Sequence, residues 1–159
     1  MIVERARMVI AGIAAISMAT VGCATVGSSP SPTGGGGDAT TVEVTIQEWA
    51  VVLAAASAPA GDITFAVTNE GPEDIHEFVV IKTDLEAAEL PTDADGVVDE
   101  AEDGMEVIDE IEDLAVGANQ SLSVALEAGS YVLLCNIWDE GEGEAHYQMG
   151  MRTAFSVTE

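Results

Sequence analysis

Positive charge is what this sequence has least of. Its 159 residues include 4 Lys and Arg against 29 Asp and Glu, a formal net charge of −25 at pH 7. A surface this acidic repels phosphate backbones, which excludes nucleic-acid binding. It attracts basic proteins and cations over a range that salt shortens. Dense acidity also serves solubility in high salt, so charge alone selects no partner. Aromatic residues are scarce at 4%, which leaves Ala, Val, Leu and Ile to build the core. Histidine occurs twice and cysteine twice. No grouping of serine, carboxylate and histidine suggests hydrolysis, and the chain is expected not to be an enzyme and to take no small-molecule substrate.

Long apolar runs are missing too. Met8 to Val21 carries no charge, but 14 residues are too few for a comfortable membrane span and suit the h-region of a signal peptide behind Arg5 and Arg7. The run ends in Thr20-Val21-Gly22-Cys23, which resembles a bacterial lipobox, with Thr20 where Leu is usual. That resemblance implies a signal peptide over residues 1–22, acylation of Cys23 and an extracytoplasmic chain anchored in the cell membrane. Ordinary signal-peptidase cleavage nearby is the alternative. Residues 23–40 follow with Ser28-Ser29-Pro30-Ser31-Pro32-Thr33 and Gly34 to Gly37, the composition of a flexible tether.

Residues 41–159 are expected to form one domain. In Thr41 to Trp49, Val42, Val44 and Ile46 alternate with polar residues, the period of a half-buried strand. Asp62 to Asn69 repeats this, His76 to Ile81 follows the Gly71-Pro72 turn, Ser121 to Leu126 alternates again, and Ser130 to Asn136 and Thr153 to Thr158 complete the set. Short strands between Gly and Pro turns predict an all-β sandwich. Asp84 to Asp113 breaks the rhythm with 14 acidic residues and no basic one. This reads as an insertion: a short helix over Asp84 to Leu90 stopped by Pro91, then a solvated loop. Asp93, Asp95, Gly96 and Asp99 lack the spacing and closing Glu of a calcium loop.

If Cys23 is acylated, Cys135 is the one thiol of the exported chain, and it is buried, bridged to another molecule or bound to metal. His76 and His146 both stand where strands meet loops, and Met149 and Met151 follow His146. One thiolate, two imidazoles and a thioether are the donors of a blue-copper site.

Gly129-Ser130-Tyr131-Val132-Leu133-Leu134-Cys135-Asn136-Ile137, His146-Tyr147-Gln148-Met149-Gly150-Met151 and Phe155-Ser156-Val157 resemble the closing half of a cupredoxin, the plastocyanin and azurin family. Ile75-His76-Glu77-Phe78-Val79-Val80 is similar to the strand that brings that family's first histidine. The resemblance implies a Greek-key β-sandwich with one copper ion, His76, Cys135 and His146 as equatorial ligands and Met151 as the axial one, with Met149 lining the site. It implies single-electron transfer to redox partner proteins, which the anchor would place near the membrane, with His146 as an exposed electron port, Trp138 beside it and Asn136 as a donor to the Cys135 sulfur. Copper storage or delivery, or a metal-free interaction sandwich, are the rival readings. The chain departs from the family in the ten residues, Asn136 to Ala145, between Cys135 and His146. A longer loop adds closure cost only logarithmically, so His146 can still return.

Overall fold

The computed structural model describes residues 39–159; the expected signal peptide, Cys23 and the expected linker up to residue 38 lie outside the described residues. Among the described residues no helix is long and apolar enough to cross a membrane.

Strand β1 (Thr40–Gln47) buries Val42, Val44 and Ile46 and leaves Thr41, Glu43 and Gln47 to solvent, as its alternation demands. It pairs antiparallel with β2 (Ala50–Leu53) and parallel with β4 (Gly61–Asn69), and β4 pairs antiparallel with β7 (Asn119–Leu126). These four form one sheet in the order β2-β1-β4-β7. The second sheet has the order β3-β11-β8-β5-β6, from β3 (Ser57–Pro59), β5 (His76–Lys82), β6 (Glu106–Leu114), β8 (Gly129–Leu134) and β11 (Arg152–Thr158). The expected all-β sandwich is what forms.

Between the sheets lies one core in which Val42, Val44, Ile46, Phe65 and Val67 meet Phe78, Val80, Leu133 and Phe155. The scarce aromatics concentrate here: the Phe65 ring lies 5.3 Å from Phe78 and 5.4 Å from Phe155, both tilted or edge-on, the arrangement aromatic quadrupoles favour.

The acidic insertion departs from its expected form. No helix forms over Asp84 to Leu90, where the chain makes turns. Tyr147 competes there for the backbone, its hydroxyl accepting from the Leu90 N–H at 3.0 Å and donating to the Ala87 carbonyl at 3.0 Å. Nor is the remainder a solvated loop. Leu90 and Val98 pack with Tyr147 over Val79, Ile81, Val132 and Leu134, the outward-facing side chains of β5 and β8. A strand covered on both faces reads as a continuous apolar run rather than an alternation, which is why Val79-Val80-Ile81 and Tyr131 to Leu134 carry no polar residue. The insertion ends as β6, an edge strand whose exposed Glu106, Asp109, Glu110 and Glu112 discourage pairing with another chain.

Candidate metal centre

Three side chains from three separate parts of the chain meet at one end of the sandwich. His76 opens β5, Cys135 follows β8, and His146 opens the short helix α1 (His146–Met149). Each is at most 1% exposed. Their donor atoms lie within 4.8 Å of one another. Nδ1 of His76 is 3.2 Å from Nδ1 of His146, and the Cys135 sulfur is 3.9 Å and 3.4 Å from them respectively. A point in the plane of these three atoms is about 2 Å from each, close to the distance at which imidazole nitrogen and thiolate sulfur hold a first-row metal ion.

Asn69 explains how His76 arrives. This fully buried amide donates to the carbonyls of Asp74 and Leu114, both at 2.9 Å, and accepts from the Gly71 N–H at 2.8 Å, so it fixes the turn that feeds β5. The long ligand loop is solved by a hairpin. Strands β9 (Trp138–Asp139) and β10 (Glu144–Ala145) pair antiparallel, Gly143 supplies a left-handed φ of 73° at the turn, and the His146 N–H bonds the Ile137 carbonyl at 2.9 Å. The ten intervening residues therefore fold back on themselves and return His146 beside Cys135.

Met151 is fully buried and shares the core with Cys135, whereas Met149 is 39% exposed, so the expectation that Met149 lines the site gives way to an outward-facing side chain. The Met151 backbone ties the ligand segments together: its carbonyl accepts from the Cys135 N–H at 3.0 Å and its N–H donates to the His146 carbonyl at 3.1 Å.

Burial sets the protonation states. It pushes the Cys135 thiol up to about 12, against the N–H groups of Glu77 and Ile137, so without metal this is a neutral, unreactive thiol. Burial holds both imidazoles below the usual histidine value; for His76 the neighbouring His146 adds to this while Glu48 and Asp74 oppose it. At neutral pH both rings are uncharged, the form in which imidazole ligates.

The surroundings of these donors differ in part from expectation. The Asn136 side chain does not serve the sulfur: its Oδ1 accepts from the Val98 N–H at 2.7 Å and its Nδ2 donates to the Val98 carbonyl and to Glu100. Backbone N–H groups serve the sulfur instead, among them that of Glu77, 3.4 Å away. His146 is 1% exposed rather than an open port. The indole of Trp49 closes over it edge-on at 5.2 Å, and a cleft lined by Ile75, Ile137, Trp138 and His146 lies outside. Sequence reasoning missed both Glu48 and Trp49. They sit together in the turn after β1, Trp49 against His146 and Glu48 against His76.

Among the described residues, the buried side-chain polar atoms left without a hydrogen-bond partner are Glu48 Oε2, His76 Nε2 and His146 Nε2. Buried polar atoms are ordinarily paired, and their gathering at one spot marks a functional centre rather than a packed core. A soft thiolate between two neutral imidazoles suits copper.

No family model matches the sequence, and no curated protein is similar to it. Solved structures are. Reduced auracyanin from the photosynthetic bacterium Roseiflexus castenholzii superposes with a TM-score of 0.53 at 25% identity, covering 77% of this chain and all of its own. Auracyanin B gives 0.52 at 22% identity over 76% and 90%, and rusticyanin from Thiobacillus ferrooxidans 0.52 at 16% over 76% and 79%. This chain has the cupredoxin fold. The cupredoxin frame and its His-Cys-His cluster accommodate one copper ion.

Proposed function

We propose that this cupredoxin is an extracytoplasmic electron carrier, tethered to the cell membrane through Cys23, in which His76, Cys135 and His146 hold one copper ion and Met151 approaches it as a weak axial ligand. The observation that carries the reading is the triangle of buried donors with one point about 2 Å from all three. Bound copper would supply a one-electron couple, and no bond in a substrate need form or break. The protein's part is to keep its donors still. β5, β8 and the β9–β10 hairpin fix the three ligand positions, and a scaffold that holds one compromise geometry limits the rearrangement on electron transfer. The Glu77 N–H at the sulfur and the exclusion of water tune the potential.

Redox partners would dock over the cleft outside His146. Ile75 and Trp138 give it an exposed apolar centre, and Glu73, Asp113 and Glu140 border it, so a partner with a basic rim fits.

Titrating the purified protein with Cu(II) while recording the visible spectrum tests the reading, followed by voltammetry. An intense thiolate-to-copper band at one equivalent and a reversible one-electron wave are expected. Copper that binds but passes readily to an acceptor, without a reversible wave, would make this a delivery protein. Absence of copper binding would leave an interaction sandwich. Intact mass of membrane-extracted protein tests the anchor, which requires an acylated Cys23 as the first residue.

A further inference from the structure

The two buried histidines have unlike neighbours. The His146 ring packs against the indole of Trp49; His76 has a carboxylate, with Glu48 Oε1 3.7 Å from its Nε2. That carboxylate is not a stray surface group. Its side chain is 13% exposed, and Oε1 accepts from the N–H groups of Asp74 at 2.9 Å and Glu73 at 3.3 Å, in the turn that leads directly into His76. Gly71 makes room for it, since a Cβ there would stand 2.7 Å from Oε1. Oε2 is buried with no partner, and so is His76 Nε2.

A buried carboxylate oxygen without a partner costs free energy, and so does a buried imidazole N–H without an acceptor. Oε1 of the same carboxylate is already 3.7 Å from Nε2, so a small rotation that brings Oε2 to this nitrogen removes both costs. A neutral imidazole carries one proton, and the group beside the outer nitrogen decides which nitrogen has it. A carboxylate accepts and does not donate, so it selects the proton on Nε2 and leaves the Nδ1 lone pair facing His146 Nδ1 and the Cys135 sulfur.

The geometry points to Glu48 as a positioning residue for His76, one whose carboxylate holds the Nε2–H form of the ring and whose negative charge favours the oxidised over the reduced metal. This rests on the copper reading for its second half only. Carboxylate–histidine–metal arrangements of this kind fix the ring and raise its basicity as a ligand. The Glu48 charge reaches both rings, but its close contact is with His76 alone, so the response of His76 should exceed that of His146.

The test uses the full chain with Glu48→Gln and, separately, Gly71→Ala, which displaces the carboxylate without removing it. Imidazole 15N spectra of the metal-free protein report the tautomer of each ring. His76 is expected in the Nε2–H form in the parent and to lose that preference in both variants, with a smaller change at His146. With copper, Glu48→Gln is expected to lose about 10- to 100-fold in Cu(II) affinity and less in Cu(I) affinity, which raises the reduction potential. Parent-like His76 spectra and potential in Glu48→Gln would overturn the inference, as would equal disturbance of both rings. If the parent binds no copper, the copper reading fails while the tautomer measurement still decides the role of Glu48. If copper binds and neither His76 nor the potential responds, Glu48 alone is wrongly assigned.

Discussion

Asn136 and Val98 hold each other by a pair of hydrogen bonds, the Val98 N–H to Oδ1 at 2.7 Å and Nδ2 to the Val98 carbonyl at 3.1 Å. This side chain, next to Cys135, uses a third bond to grip Glu100 at 2.9 Å, while its own N–H is held by Glu77 at 2.6 Å. Tyr147, next to His146, holds Ala87 and Leu90 in the same manner. The acidic insertion is thus fastened to the residue following each of two candidate ligands.

From this fastening follows the first prediction. Asn136→Ala removes three side-chain bonds and leaves the Val98 N–H and carbonyl to find water, a loss of about 1–3 kcal/mol in stability. Amide hydrogen exchange should accelerate around Val98 and Glu100 and leave β1 and β4 unaffected. Uniform acceleration across the domain would show that the fastening is not local.

The same region shows what a sequence conceals. The alternation of β1, β4 and β7 was legible, because each buries one face and displays the other. Strand β6 was not, since its bulged pairing with β5 spoils the period and its charges resemble those of a loop. Leu90 and Val98 are isolated apolar residues in an acidic stretch, and only the folded chain reveals that they cap the outer face of β5 and β8. The cluster of His76, Cys135 and His146 was legible because these scarce residue types stand where strands meet loops; Met151 was reached only through the family resemblance. Glu48 and Trp49 were not: nothing local to a β-turn signals that it will stand behind two imidazoles from elsewhere in the chain.

Glu77 provides a pH test. Burial raises its carboxyl from 4.5 to about 7, reinforced by Glu100, Glu110 and Glu112 and opposed by the Asn136 N–H. A carboxyl raised in the folded state binds more protons folded than unfolded, so its contribution is present at low pH and is lost as pH rises from about 4.5 to about 7. Glu77→Gln keeps an acceptor for Asn136 and cannot ionise. In the metal-free protein it should match the parent below pH 4.5 and be more stable by about 2–3 kcal/mol above pH 7, the full shift reduced by the solvent that reaches this half-buried carboxylate, by denaturant titration at each pH. Equal stability across the whole range would mean that Glu77 is solvated.

Copper uptake should release a proton from Cys135. Its thiol sits at about 12 in the metal-free protein, whereas both imidazoles are already neutral at pH 7 and above. One displaced proton gives a tenfold rise in Cu(II) affinity per pH unit, measured by competition between about pH 8 and pH 10, above the titration of Glu77. A slope near zero would show that the sulfur is not a ligand or is already ionised.

The remaining prediction separates the roles of the two sulfurs. Cys135 is fully buried at one corner of the donor triangle, and its thiolate is the one ligand able to give an intense visible charge-transfer band with Cu(II). Cys135→Ser replaces one small side chain by another after β8, so the sandwich should persist, by far-ultraviolet circular dichroism, while the band disappears. Met151 is also fully buried, but its backbone already performs the structural work of joining Cys135 to His146. Leucine is close to methionine in volume, so Met151→Leu should cost less than about 1.5 kcal/mol. On its proposed role as a long, weak ligand, the thioether would tune the metal more than hold it, so copper and colour should remain and the reduction potential should shift. A full band in Cys135→Ser, or loss of copper from Met151→Leu alone, would reverse these roles even in a protein that binds copper.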